Sequence, residues 1–135
     1  MDLKKIFQVS ASGMNVQSER LKVVAENIAN ADSLAKTPGG MPYRRKLITF
    51  ESELDRAAEV ETVRVDRIRR DPSDLGTRFD PNHPGANEDG YVLTPNVNPL
   101  IELMDMREAQ KTYEANLNVL DTTRTMLQRT IQILQ

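Results

Sequence analysis

"LKKIFQVSASGMNVQSERLKVVAENIANA", residues 3–31, carries apolar side chains at alternating steps of four and three. Leu3, Phe7, Ser10, Met14, Gln17, Leu21, Val24, Ile28 and Ala31 fall on that register, and seven of the nine are apolar. A period of about 3.5 residues marks a helix that packs along a seam, as in a coiled coil. Ile6, Val9, Val16 and Val23 widen the stripe on one side, enough to contact more than one neighbour. Gly13 costs about 1 kcal/mol relative to Ala in a helix interior. Close approach of another backbone, or a bend, accounts for such a residue.

Asn27 and Asn30 lie beside this seam, flanked by the small Ala29 and Ala31. Asparagine is a poor helix former because its amide competes for nearby backbone groups. Asn30 and Asp32 explain a helix end, but Asn27 sits a turn too early for that. The position predicts amides that bond a neighbouring helix or backbone and fix register between subunits, at some cost in stability.

The C-terminal third repeats the pattern. Asn98 is placed to cap a helix whose first residue is Pro99, where a missing N–H costs nothing. Leu103, Met106, Gln110, Tyr113, Leu117, Leu120, Arg124, Leu127, Ile131 and Leu134 follow at three–four spacing, with Gln110 and Arg124 as polar interruptions. Neither Gly nor Pro stops this helix before the last residue given. Each terminal helix has roughly 30 residues, or about 45 Å of length.

Between them the character changes. "SLAKTPGGMP" reads as turn or loop, "YRRKLITF" as a candidate strand, and "TVRVDRI" as a strand by its alternation, while "ESELDRAAEVE" is ambiguous. Residues 70–99 hold five of the seven prolines and read mostly as loop, with a short strand at Tyr91 to Thr94. The expected architecture is mainly α. Residues 1–31 form an N-terminal helix, 32–97 a small β and loop-rich middle module, and 98–135 a C-terminal helix packing with the first as a coiled-coil-like pair. A middle of about 65 residues is too small to cover two such rods, which points to assembly with other chains.

Composition narrows the chemistry. The 135 residues carry 18 Lys and Arg against 20 Asp and Glu, a net charge of −2, which gives no general reason to expect nucleic acid or an anionic membrane as partner. There is no cysteine, so disulfides, thiolate metal sites and a cysteine nucleophile are excluded. No run approaches the roughly 18 apolar residues of a membrane span, and the N-terminal stretch is too interrupted for a cleaved signal peptide. His83 is the sole histidine; with Asp80 and Asp89 it does not define a metal set. The acidic run Glu51, Glu53, Asp55, Glu59, Glu61 reads as a solvated face. Arg64, Arg67, Arg69 and Arg70 read as an ion-pairing surface against an acidic neighbour. No catalytic residue, cofactor or metal is expected.

Specific strings then carry a resemblance. "SASGM" (10–14), "NIANAD" (27–32) and "YRRK" (43–46) resemble the N-terminal signature of bacterial flagellar axial proteins. "DPNHPGANEDGYVLTPNVN" (80–98), followed by "YEAN" (113–116), is similar to the short proximal-rod members of that family. Its motif residues here are Asp80, Pro81, His83, Pro84, Gly90, Tyr91, Pro95, Asn96, Val97 and Asn98.

The resemblance implies a non-enzymatic structural subunit of the flagellar basal-body rod, the drive shaft that transmits torque. It implies a helical assembly with copies of itself and other rod proteins. It also implies export by the flagellar type III apparatus to a place beyond the cytoplasmic membrane, periplasmic in a diderm. Direct membrane insertion, nucleic acid and small-molecule substrates are not expected. The packing seam is expected to comprise Leu3, Phe7, Met14, Leu21, Val24 and Ile28 on the first helix. On the second it comprises Met106, Tyr113, Leu117, Leu120, Leu127, Ile131 and Leu134, with Asn27, Asn30 and Asn116 as hydrogen-bonding alignment points. Two alternatives are a soluble coiled-coil adaptor or chaperone using the same stripes, and a small metal-dependent enzyme centred on His83.

Overall fold

A computed structural model describes residues 2–135. Helix α1 spans Leu3–Ala29 and helix α2 spans Pro99–Ile133, within the 1–31 and 98–135 segments expected to be helical. Four strands lie between them: β1 Lys46–Asp55, β2 Val60–Arg70, β3 Gly76–Phe79 and β4 Tyr91–Thr94. Asn98 caps α2 as its sequence position foretold: its Oδ1 accepts from the Leu100 N–H at 3.1 Å, while its carbonyl accepts from Glu102 N at 3.1 Å.

β1 and β2 form a two-stranded ribbon. Contacts between Thr49 and Asp66, Glu51 and Arg64, and Glu53 and Thr62 run in opposite chain directions, so the pairing is antiparallel. The ambiguous "ESELDRAAEVE" is therefore the end of one strand, a turn and the start of the next. Asp55 nucleates that turn by accepting from the N–H groups of Ala57 and Ala58 at 3.0 and 3.1 Å. β3 pairs antiparallel with β4, Gly76 opposite Thr94 and Phe79 opposite Tyr91. The Tyr91–Thr94 strand was legible in the sequence, whereas β3 lay in a stretch read as loop. Four exposed residues beginning with Gly give no alternation to read.

Two compact units divide the chain. One comprises the residues up to Leu21, Ile48–Arg67 and Arg107–Gln135; the other comprises Lys22–Leu47 and Ile68–Met106. In the first unit, α1 and α2 run antiparallel: Gly13 faces Asn116, and Arg20 pairs with Glu108 at 3.6 Å. The ribbon joins them through Gln8, whose amide donates to Asp55 at 2.8 Å, and Ser12, whose hydroxyl accepts from Val63 N at 3.3 Å. In the second unit the buried apolar residues include Val23, Val24, Ala35 and Val92. No helix among the described residues is long and apolar enough to cross a membrane.

Candidate functional site

Asn27 is 1% exposed, and its amide is fully used within the second unit. Nδ2 donates to the Lys46 carbonyl at 3.0 Å and to Glu102 Oε2 at 3.2 Å. Oδ1 accepts from the Tyr43 hydroxyl at 2.7 Å and from Lys46 N at 2.9 Å. Two donors and two acceptor positions are the whole capacity of an asparagine amide. The register fixed by Asn27 is thus that of α1 against the start of β1 and the first turn of α2. This corrects the expectation that the amide is held for another subunit. A helix residue reaches these partners because Ser33 accepts from Tyr43 N at 2.9 Å, bringing the chain back along α1.

Glu102, itself 1% exposed, receives the Arg45 guanidinium as well as the Asn27 amide. Arg45 also lies 3.4 Å from Asp71, and its backbone N–H donates to Asn96 Oδ1 at 2.7 Å. Asn96 Nδ2 in turn donates to the carbonyls of Asp71 and Ser73, both at 3.2 Å, and to the Ser73 hydroxyl at 2.9 Å. Burial drives the Tyr43 hydroxyl up to about 12, assisted by the negative charges of Glu26 and Glu102. The Asp71 carboxyl is held below its usual range, first by the Ser73 backbone N–H and further by Arg45. The charges in this knot are compensated in place, so its chemistry is structural: it ties both helix ends to the mouth of the β1–β2 ribbon.

Asn30 has the more ordinary role. Its Nδ2 donates to the Glu26 carbonyl at 2.9 Å and its Oδ1 accepts from Ser33 at 3.0 Å, closing the last turn of α1. Asn116 lies over Gly13, where a Cβ would come within 2.8 Å of its Nδ2. The close approach anticipated at Gly13 is thus made by a side chain rather than a backbone.

The expected seam is divided. On α1, Val24 is buried and Leu3, Phe7, Met14, Leu21 and Ile28 are half-buried. On α2, Met106, Tyr113 and Leu120 are half-buried, but Leu117, Leu127 and Ile131 are exposed, as is Leu134 just past its end. The inward register of α2 instead includes Glu102, Ala109, Asn116 and Thr123, seven residues apart. These are polar or small, so a reading by hydrophobicity passes over them and selects their larger neighbours Leu103 and Leu117.

The motif residues build the connection between β3 and β4 and the entry to α2. Asp80 N donates to the Gly90 carbonyl at 2.9 Å, and the Asp80 carbonyl accepts from His83 N at 3.1 Å. His83 Nδ1 accepts from Gly85 N at 2.9 Å. Pro81 and Pro84 lie exposed on this turn, and Gly90, Val92 and Pro95 are buried. A Cβ on Gly85 would stand 2.3 Å from the Ala35 carbonyl oxygen, so the turn seats directly on the 33–42 loop. Tyr91 packs edge-on against Phe79 with centroids 5.3 Å apart. Val97 is half-buried just before the capping Asn98.

The sequence reading missed Glu102, which looks like an ordinary acidic residue in a first helical turn. Tyr43 and Arg45 stand in a candidate strand and a family string, neither of which marks them as partners of Asn27 or Glu102. The available signal was their joint presence: a buried asparagine needs partners of both polarities.

Two family models match the chain. One described as "Flagella basal body rod protein" covers residues 7–33, and one described as "Flagellar basal body rod FlgEFG protein C-terminal" covers residues 88–133. Similar curated proteins carry the name flagellar basal-body rod protein FlgC. That of Agrobacterium fabrum is 49% identical over 133 residues, 98% of this chain and 96% of the relative. That of Bacillus subtilis is 36% identical over 142 residues, covering 94% and 95% of the two chains. That of Salmonella typhimurium is 34% identical over 133 residues, 98% of each.

Proposed function

The chain belongs to the flagellar basal-body rod protein family and is a structural subunit of that rod; on this premise we propose that it assembles through the outward face of its terminal helices. The observation that carries the proposal is the exposure of Leu117, Leu127, Ile131 and Leu134, which lie on the three–four register of α2 but are left uncovered by its own α1. Rows of large apolar side chains in water favour burial against another chain, at about 25 cal/mol per Å² removed from solvent.

In this reading the seam has two sides. Val24, Met106, Tyr113 and Leu120 hold the subunit together, while Leu117, Leu127, Ile131 and Leu134 meet neighbouring copies and other rod proteins. Leu3, Phe7, Met14, Leu21 and Ile28, half-buried on α1, are shared between the two roles. Interlocked helices of this kind transmit torque because every subunit is gripped along its length. The subunit works beyond the cytoplasmic membrane, reached through the flagellar type III export apparatus. It performs no catalysis and needs no cofactor; its relatives are named as rod proteins. The adaptor alternative drew on the same stripes and has no observation of its own.

The test is Leu117→Asp with Leu127→Asp in the flagellated host. The variant is expected to keep the helical circular dichroism of the parent, to be absent from purified basal bodies and to leave cells non-motile. Normal incorporation and motility would overturn the proposal.

A further inference from the structure

The β1–β2 ribbon is charged oppositely at its two ends. Near the turn, Glu51, Glu53, Asp55, Glu59 and Glu61 outnumber Arg56 and Arg64; at the open end, Arg44, Arg45, Lys46, Arg67, Arg69 and Arg70 outnumber Asp66 and Asp71. Part of this charge is compensated locally. Arg64 bonds Glu51 at 2.6 Å and lies 3.3 Å from Glu53, Arg67 meets Asp66 at 3.1 Å, and Lys46 meets Glu26 at 2.6 Å. Glu61 is exposed with no ion pair among the described residues, and the 85% exposed Glu59 side chain has only a long pairing, with Lys5 at 3.9 Å. Arg69 and Arg70 are exposed with no ion pair among the described residues. Arg70 also borders an open groove of about 380 Å³ with Tyr43, Arg44 and Lys46, in which Glu26 is the one acidic residue.

We propose that these ends pair between copies: the acidic turn end of one subunit's ribbon, through Glu59 and Glu61, meets Arg69 and Arg70 of the next. The inference rests on the rod-assembly reading and names a second contact in that assembly, away from the helices. A second copy is the occupant that fits, because one element carries both halves of the complement. A heterologous contact of that kind repeats without closing, as a helical stack requires. An anionic lipid surface would be met by the basic end but repelled by the acidic one, in a chain whose net charge is already −2. Exposed pairs of this kind set orientation and register more than affinity.

The chain has no cysteine, so a pair introduced by mutation reports the contact directly. Positions 61 and 69 are eight residues apart on β2, roughly 26 Å at the rise of a strand, too far for a disulfide within one chain. In basal bodies purified from cells carrying Glu61→Cys with Arg69→Cys, mild oxidation is expected to give a ladder longer than dimer on non-reducing gels. Either single variant should give no ladder. A charge test accompanies it: Glu61→Lys and Arg69→Glu should each lower incorporation several-fold, and the two together should restore it. Incorporated chains that give no ladder, or reversals without effect or without mutual rescue, overturn the ribbon contact and leave the rod reading intact. Binding of the purified chain to anionic vesicles that is abolished by Arg69→Glu would also overturn it, in favour of a membrane-facing patch. Absence of the parent chain from basal bodies would remove the rod reading itself, and this contact with it.

Discussion

Asn27 on α1 and Glu102 on α2 bond each other at 3.2 Å with both side chains 1% exposed, at the point where the two helices meet the mouth of the β1–β2 ribbon. A buried polar pair of this kind stabilises only while every member is satisfied; removing one leaves the others desolvated and unpaired. Asn27→Leu fits the volume and favours the helix, yet strands the Tyr43 hydroxyl, the Lys46 backbone groups and one Glu102 oxygen. The expected loss is about 3 kcal/mol, from roughly 1–3 kcal/mol for each buried group left without a partner, softened by relaxation. Urea unfolding followed by circular dichroism reads it directly, and an unchanged midpoint would show that the knot carries no net stability.

Glu102→Ala removes the anion that faces Arg45. Breaking a buried pair costs about 3–5 kcal/mol, and the low end is expected here because Asp71 still stands 3.4 Å from the guanidinium. Asp71 makes the acid side of the stability curve distinctive. Its folded pKa lies below the unfolded one, held there first by the Ser73 N–H, so its contribution is present above the unfolded carboxylate value and is lost as pH falls through the folded value. Asp71→Asn should flatten the loss of stability below about pH 4. An acid limb as steep as the parent's would refute that assignment.

Tyr43 works in the opposite direction. Burial, then the charges of Glu26 and Glu102, raise its hydroxyl from 10.0 to about 12. The folded state keeps this proton where the unfolded state releases it, so the contribution is complete below pH 10 and fades between about 10 and about 12. Ultraviolet titration should resolve a late phenolate that Tyr43→Phe removes. A titration curve above pH 10 that Tyr43→Phe leaves unchanged would contradict the raised phenol.

How much of this was legible in the sequence depends on which force sets each element. Apolar periodicity located both helices, and Asn98–Pro99 located the start of α2 to the residue, because capping is local chemistry. Val24 is buried and Tyr113 and Leu120 are half-buried, whereas Leu117 and Leu127 on the same register are exposed, a division that spacing alone does not reveal. Glu102 escaped because its burial depends on partners distant in the chain. Periodicity reports the hydrophobic effect and is silent about pairing. Asn27 stood out as an exception to helix propensity, but nothing local said whether its partner lay in this chain or another.

Gly13 and Asn116 illustrate a contact whose cost is divided between two residues. A Cβ at Gly13 meets Asn116 Nδ2 at 2.8 Å, but that atom is the far end of a side chain that can swing aside. Gly13→Ala should therefore be nearly neutral, its helix-propensity gain of up to about 1 kcal/mol offset by displacing the amide. Gly13→Leu needs room that a rotamer change does not supply and should cost about 2 kcal/mol. Asn116→Ala should recover much of that loss, a coupling that a double-mutant cycle measures. Additive effects would mean that the two residues do not share the space.

Leu120 and Leu117 separate folding from assembly, since they sit three residues apart on α2 with Leu120 half-buried and Leu117 41% exposed. Leu120→Asp places a charge against the chain's own packing and should destabilise the isolated subunit by about 3 kcal/mol, the scale of truncating a core leucine. Leu117→Asp should change the subunit's unfolding midpoint by no more than about 0.5 kcal/mol, as surface substitutions do. Both variants should be missing from basal bodies, the first because too little of it survives folded, the second because its outer face is spoiled. The decisive comparison is stability against incorporation. If Leu117→Asp enters the rod as well as the parent does, the outward stripe is not the assembly surface. If it instead unfolds the free subunit, the residue belongs to the inner packing.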